Sequence, residues 1–134
     1  MTQDTLTVGH ETVTFLESRE LVSHVTFAGL PSSHYRPLVE KYLPRGAGAV
    51  FSFDCVGGRE GGQDLIRGVQ LWSHLANVGD AKSLIIHPAS TTHRQLSDDE
   101  LTAAGVGPGT IRLSVGLESV EDLIWDLDHA LGAL

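Results

Sequence analysis

Several things are scarce in this sequence. Of 134 residues only Cys55 is a cysteine, so no disulfide can form within the chain. That suits a reducing compartment and leads us to expect a cytoplasmic protein. No apolar run approaches the ~18–20 residues that a membrane helix requires. The opening Met1-Thr2-Gln3-Asp4 lacks the basic and apolar regions of a secretory signal. Positive charge is sparse: 9 Lys and Arg stand against 17 Asp and Glu, giving a net charge of −8. Nonspecific attraction to nucleic acid or to an anionic membrane is therefore disfavoured. No internal repeat is visible, and the length fits one domain with a single modest core.

Local motifs of catalysis are absent too. Seven histidines are present, but none falls in an H-E-x-x-H pattern and there is no C-x-x-C, so no metal site is expected. His87 and His93 read instead as residues whose hydrogen bonds shape the loop between them. No G-x-S-x-G elbow exists for a nucleophilic serine. The run Gly57-Gly58-Arg59-Glu60-Gly61-Gly62 matches neither phosphate-binding glycine pattern and reads as a strand-to-helix loop. Asp98-Asp99-Glu100 follows Ser97, which makes it the acidic first turn of a capped helix rather than a catalytic pair. Cys55 reads as a small buried thiol.

What the chain does contain is an alternation of helical and extended patterns. Thr5–Ser18 carries a helix pattern with Leu6, Val13 and Leu16 on one face, weakened by Gly9. Leu21–Phe27 alternates as a short strand. His34–Leu43 reads as a short helix with Leu38, Val39 and Tyr42 inward. Ala49–Cys55 is a strand by composition. Gln63–Asn77 predicts a helix with a stripe of Leu65, Val69, Trp72 and Ala76, closed by Gly79. Ser83–His87 and Thr110–Gly116 are strands, separated by the helix after Ser97. Ser119 caps a last helix whose stripe is Val120, Leu123, Ile124, Leu127 and Leu131. Four strands and their crossover helices suggest an α+β domain, one sheet with helices mainly on one face.

The chain is organised around Leu75–Glu118. In its second strand Ile111, Leu113 and Val115 share one face, so Arg112 and Ser114 point to the other. A guanidinium held on a strand among apolar neighbours can grip a carboxylate through two parallel hydrogen bonds. An arginine on the wet face of a half-buried strand is the commoner case, and the pattern leaves both open.

The segments GDAKSLIIHPASTTH and IRLSVGLE resemble the C-terminal signature of the Cys/Met-metabolism family of pyridoxal-phosphate enzymes. LANVGDAKSL and HPASTTH are most similar to its O-acetylhomoserine sulfhydrylase branch, and YLPRGAGAVFSFDCVGGREGG and FAGLPSSHY extend the likeness over nearly the whole chain. The resemblance implies the small C-terminal domain of the aminotransferase-like (type I) fold, with residues 1–18 the remnant of an interdomain helix whose apolar residues are then poorly covered. It implies that Arg112 holds the substrate α-carboxylate, supported by Thr92 and by Asn77, the last at a helix end. Related lyases often carry serine at the position of Asn77. The family's cofactor, pyridoxal 5'-phosphate, needs a Schiff-base lysine in the large domain. Lys41 and Lys82 stand in no such context, so no catalytic residue and no bound cofactor are expected in this chain alone. The partners implied are an amino-acid substrate, the absent large domain and further copies of the subunit as a homo-oligomer. The alternative is a non-catalytic truncated paralogue that binds a small carboxylate or associates with a full-length subunit.

Overall fold

The computed structural model describes residues 3–134. In chain order its elements are α1 (Gln3–Glu17), β1 (Val22–Thr26), α2 (Arg36–Tyr42), β2 (Val50–Cys55), α3 (Gly58–Gly68), β3 (Ser73–His74), β4 (Leu84–Ile86), α4 (Asp98–Ala103), β5 (Thr110–Ser114) and α5 (Val120–Gly132), with one 3-10 turn at Pro88–Ser90. The strands form one sheet in the order β1-β2-β5-β4-β3. Every pairing is antiparallel except β3 with β4, which is parallel.

Strand alternation divides the sheet into a dry face and an open one. Phe51 and Phe53 of β2, Ile85 of β4, and Ile111 and Leu113 of β5 are buried together with Leu65 of α3, Val13 and Leu16 of α1, and Leu123, Leu127 and Leu131 of α5. Helices α1, α3 and α5 pack on this side, α1 and α3 each against α5. The α+β architecture with helices mainly on one face is therefore the one expected from the alternation.

Three sequence expectations are corrected. The sheet has five strands, not four, because the helix expected over Gln63–Asn77 lies over Gly58–Gly68 and the chain then turns into β3. The glycine run starts that helix: Gly57 caps it at φ +86°, a conformation that favours glycine. Gly62 lies in the first turns, where a Cβ would collide with the imidazole of His87. The helix ends early because the buried carboxylate of Asp126 accepts the backbone N–H groups of Gln70 (2.8 Å), Leu71 (2.7 Å) and Trp72 (3.2 Å). Those groups are thereby removed from any helical ladder. Val69 and Trp72 are still buried as the stripe predicted, but Ala76 is exposed. Second, in α2 only Val39 is buried, while Leu38 and Tyr42 are 52% and 64% exposed. Third, the apolar residues of α1 are not left uncovered: Val13 and Leu16 are fully buried, against β1 and α5.

Candidate functional site

The open face of the sheet is where the chemistry gathers. On β5, Arg112 sits between Ser52 of β2 and Ile86 of β4, its register partners. These residues form the floor of a cavity of about 360 Å³. Its wall is the loop that follows β4: Pro88, Thr92 and His93 line it, with Gly105 and Val106 closing the far side. A roomier cavity of about 550 Å³ lies between α1 and α2, and none of Arg112, Thr92 and Asn77 lines it.

Arg112 is half-buried, and its Nη2 donates to the backbone carbonyl of Asn77 at 2.8 Å. Among the described residues no carboxylate pairs with it. Its remaining N–H groups are available for an incoming anion, and the single carbonyl bond fixes the direction of the fork. Thr92 is exposed, and its hydroxyl lies 2.8 Å from Nδ1 of His93. When His93 carries its proton on Nδ1, the ring donates to Thr92 and leaves the hydroxyl proton free for a carboxylate.

The structure thus brings Arg112 and Thr92 to one cavity. Asn77 meets Arg112 through its backbone, not its side chain. Its Oδ1 accepts the N–H of Val78 at 2.9 Å. Nor is Asn77 at a helix end, since α3 stops at Gly68 and Asn77 lies in the exposed β3–β4 loop. That loop is tied to the sheet by the N–H of Gly79, which donates to the buried Ser114 hydroxyl at 3.2 Å.

His87 fixes the start of the loop that carries Thr92. It is 1% exposed. Its Nε2–H donates to the carbonyl of Pro108 at 2.7 Å, and Nδ1 lies 2.9 Å from the Ser90 hydroxyl. Burial holds its pKa below the ordinary 6.5, opposed by the Pro108 carbonyl and reinforced by the Arg59 charge. The expectation that His87 and His93 shape this loop through hydrogen bonds is met.

At the other end Ser97 and Glu100 form a full capping box for α4, and Ser119 accepts from the N–H of Asp122 to cap α5. Cys55 is 5% exposed, and burial pushes its thiol pKa up to about 11, away from any nucleophilic role. No sequence pattern points to Arg59, which ties the Thr92 loop to α4. Its partners, residues 89, 96 and 98, are thirty or more positions away and mostly backbone carbonyls, which carry no sequence signal.

Lys41 and Lys82 are both exposed and neither lines the Arg112 cavity. Neither lysine is therefore placed to form a Schiff base within the Arg112 cavity. Among the described residues no group of three or more His, Cys, Asp or Glu is placed to hold a metal ion, and no helix is long and apolar enough to cross a membrane.

Comparison with known proteins gives this geometry its setting. The model of the family described as Cys/Met metabolism PLP-dependent enzymes matches residues 3–132. An O-acetyl-L-homoserine sulfhydrylase of Leptospira meyeri is 48% identical over 118 residues, which cover 87% of this chain and 27% of that protein. O-acetyl-L-homoserine sulfhydrylase 1 of Thermus thermophilus is 46% identical over 129 residues, covering 96% of this chain and 30% of its own length. A crystal structure of a putative O-acetylhomoserine (thiol)-lyase from Campylobacter jejuni, containing an N'-pyridoxyl-lysine-5'-monophosphate, superposes with a TM-score of 0.87 at 41% identity, over 96% of this chain and 31% of that one. The chain spans about three tenths of the length of these relatives. A match across nearly all of its residues, with the fold superposing as closely as the sequence, means that the chain belongs to the Cys/Met-metabolism family of PLP-dependent enzymes.

Proposed function

We propose that this chain is the substrate-holding domain of an O-acetylhomoserine sulfhydrylase, an enzyme that joins sulfide to O-acetylhomoserine to give homocysteine and acetate. The observation that carries the proposal is Arg112: a half-buried guanidinium with no acidic partner among the described residues, aimed by the Asn77 carbonyl at a cavity walled by Thr92. An α-carboxylate bound there accepts two N–H bonds from Arg112 and one O–H bond from Thr92. Asn77 acts through its carbonyl, by orienting Arg112. Held in this way, the substrate presents its reacting carbons in one orientation, and lost motional freedom is paid at binding rather than at the chemical step.

The cofactor would supply the carbanion stabilisation from the large domain. This chain's contribution is to bind and orient, and no catalytic proton transfer is assigned to it. Names among the relatives support the sulfhydrylase reading over the lyase one, although an L-methionine gamma-lyase of Porphyromonas gingivalis also matches, at 42% identity.

The test is a chimera in which residues 3–132 replace the matching C-terminal part of the Thermus thermophilus sulfhydrylase. It is expected to form homocysteine from O-acetylhomoserine and sulfide. Arg112→Ala removes a charge-assisted grip of about 1.5–3 kcal/mol and should raise KM roughly ten- to a hundredfold. Arg112→Lys should restore only part of this, because an ammonium cannot reproduce the planar fork. The cofactor's absorbance should be the same in all three proteins. An Arg112→Ala chimera with unchanged KM and kcat overturns the assignment. By itself the purified chain should form no homocysteine and no borohydride-trappable adduct with pyridoxal phosphate.

A further inference from the structure

The loop that carries Thr92 runs from Pro88 to Ser97 across the mouth of the Arg112 cavity, and one side chain from outside it holds both of its ends. Arg59, in the first turn of α3, sends Nη1 to the carbonyl of Ala89 and Nη2 to the carbonyl of Leu96 at 3.0 Å. Nε and Nη2 also reach one carboxylate oxygen of Asp98, at 3.1 and 2.8 Å. Ala89 lies just inside the start of the loop and is fully buried; Leu96 is next to its end; Asp98 opens α4. Between these anchors the loop closes on itself through backbone bonds: Thr91 and His93 both donate to the Pro88 carbonyl, and Leu96 donates to that of His93. Thr92 sits at the apex.

We propose that Arg59 is a positioning residue for the substrate carboxylate: its guanidinium bridges Ala89, Leu96 and Asp98 and so holds Thr92 against the Arg112 cavity. The inference rests on the reading of Arg112 and Thr92 as the carboxylate grip. The arrangement uses what is particular to arginine. One planar group offers five N–H donors in fixed directions. Two go to carbonyls at opposite ends of the loop and two more to a carboxylate beyond it. An ammonium at the same place could reach one of these anchors well, but not all three. The Arg59 side chain is 29% exposed, so its bonds to Ala89 and Leu96 lie on the shielded side of the group, where water competes least. The Asp98 carboxylate, 60% exposed, contributes direction more than strength. The other hold on the loop, the His87–Pro108 bond, fixes only its beginning. Without Arg59 the Leu96 end keeps only its bond to the His93 carbonyl, within the loop, and the capping box of α4, among the described contacts.

Two measurements test this. On the chain itself, amide hydrogen exchange followed by NMR should show Arg59→Ala speeding exchange at Thr91, His93 and Leu96 roughly tenfold or more, with amides of β2 and β5 unchanged. Arg59→Lys should be intermediate. Exchange that is unchanged in the loop, or that rises equally in the sheet, overturns the proposal. If Arg59→Ala does not fold, Arg59→Lys and Asp98→Asn give the same readout. In the chimera, Arg59→Ala should raise KM roughly three- to tenfold with little change in kcat. On a Thr92→Ala background it should add nothing further, because Arg59 acts through Thr92. A merely structural role would instead lower the thermal midpoint and the yield of active enzyme with KM constant. Arg112→Ala, measured beside it, separates the two ideas. If Arg112→Ala raises KM and Arg59→Ala does not, the positioning role is wrong and the carboxylate grip stands. If Arg112→Ala leaves KM unchanged, the grip itself is wrong.

Discussion

Single residues with buried polar groups carry the sharpest consequences. Asp126 is 1% exposed and accepts three consecutive backbone N–H groups. Asp126→Ala would leave those donors unpaired, that of Trp72 in the core, and should cost about 3 kcal/mol, read from the urea midpoint. A stability loss below about 1 kcal/mol would show that the turn re-pairs its donors with water or carbonyls. His87 gives the molecule a dependence on pH. Because its folded pKa lies below the ordinary 6.5, the unfolded chain binds a proton more readily in this window. Its contribution is therefore present above pH 6.5 and is lost as pH falls towards the lowered folded value. Stability should decline between pH 7 and pH 5 in the parent chain and decline less in His87→Gln, which denaturation curves at several pH values would show. Cys55, its pKa near 11, should react with a disulfide reagent at pH 8 only as fast as the chain opens. Rapid labelling of the folded protein would contradict its burial.

At the scale of elements, what could be read in the sequence was whatever is encoded locally. The alternation of Thr110–Ser114 placed Arg112 on the face where it is found, because period two is a property of the strand alone. Ser97 with Glu100, and Ser119 by itself, announced two helices for the same reason. Helix α4, only six residues long, depends on its cap: Ser97→Ala should cost about 1 kcal/mol and, by loosening the end of the Thr92 loop, should raise exchange at Leu96. Where long-range contacts decide, the reading failed. The extension of α3 to Asn77 followed a true apolar stripe, but Asp126, more than fifty residues on, takes the N–H groups that a longer helix would have used. Leu38 and Tyr42 have the right spacing for burial on α2, yet both remain more than half exposed. The site was legible only in part: pattern alone allowed Arg112 to be an ordinary surface arginine, and family resemblance supplied Thr92 and Asn77. No local feature could have told that Asn77 contributes a carbonyl.

For the molecule as a whole, the sheet is covered by helices on one side and only by the Thr92 loop and its surroundings on the other, and α2 with its two caps presents Tyr35, Leu38, Tyr42 and Leu43, each about half exposed or more. Apolar surface of this kind usually finds a partner, and we expect dimers or larger species in sedimentation experiments. A monomer that persists at high concentration would refute this. The order β1-β2-β5-β4-β3 also has a consequence for synthesis. Strand β5 lies in the middle of the sheet yet is the last strand in the chain. As the polypeptide leaves the ribosome, the β1–β2 pair and the short β3–β4 pair emerge first, each with an inner edge bare. Neither can join the other until residues 110–114 clear the exit tunnel and slide between them. Until that moment the nascent chain shows two open β-edges beyond the outer ones of β1 and β3, the condition in which chains pair with the wrong neighbour. The strand that carries Arg112 is therefore also the one whose arrival ends that exposure.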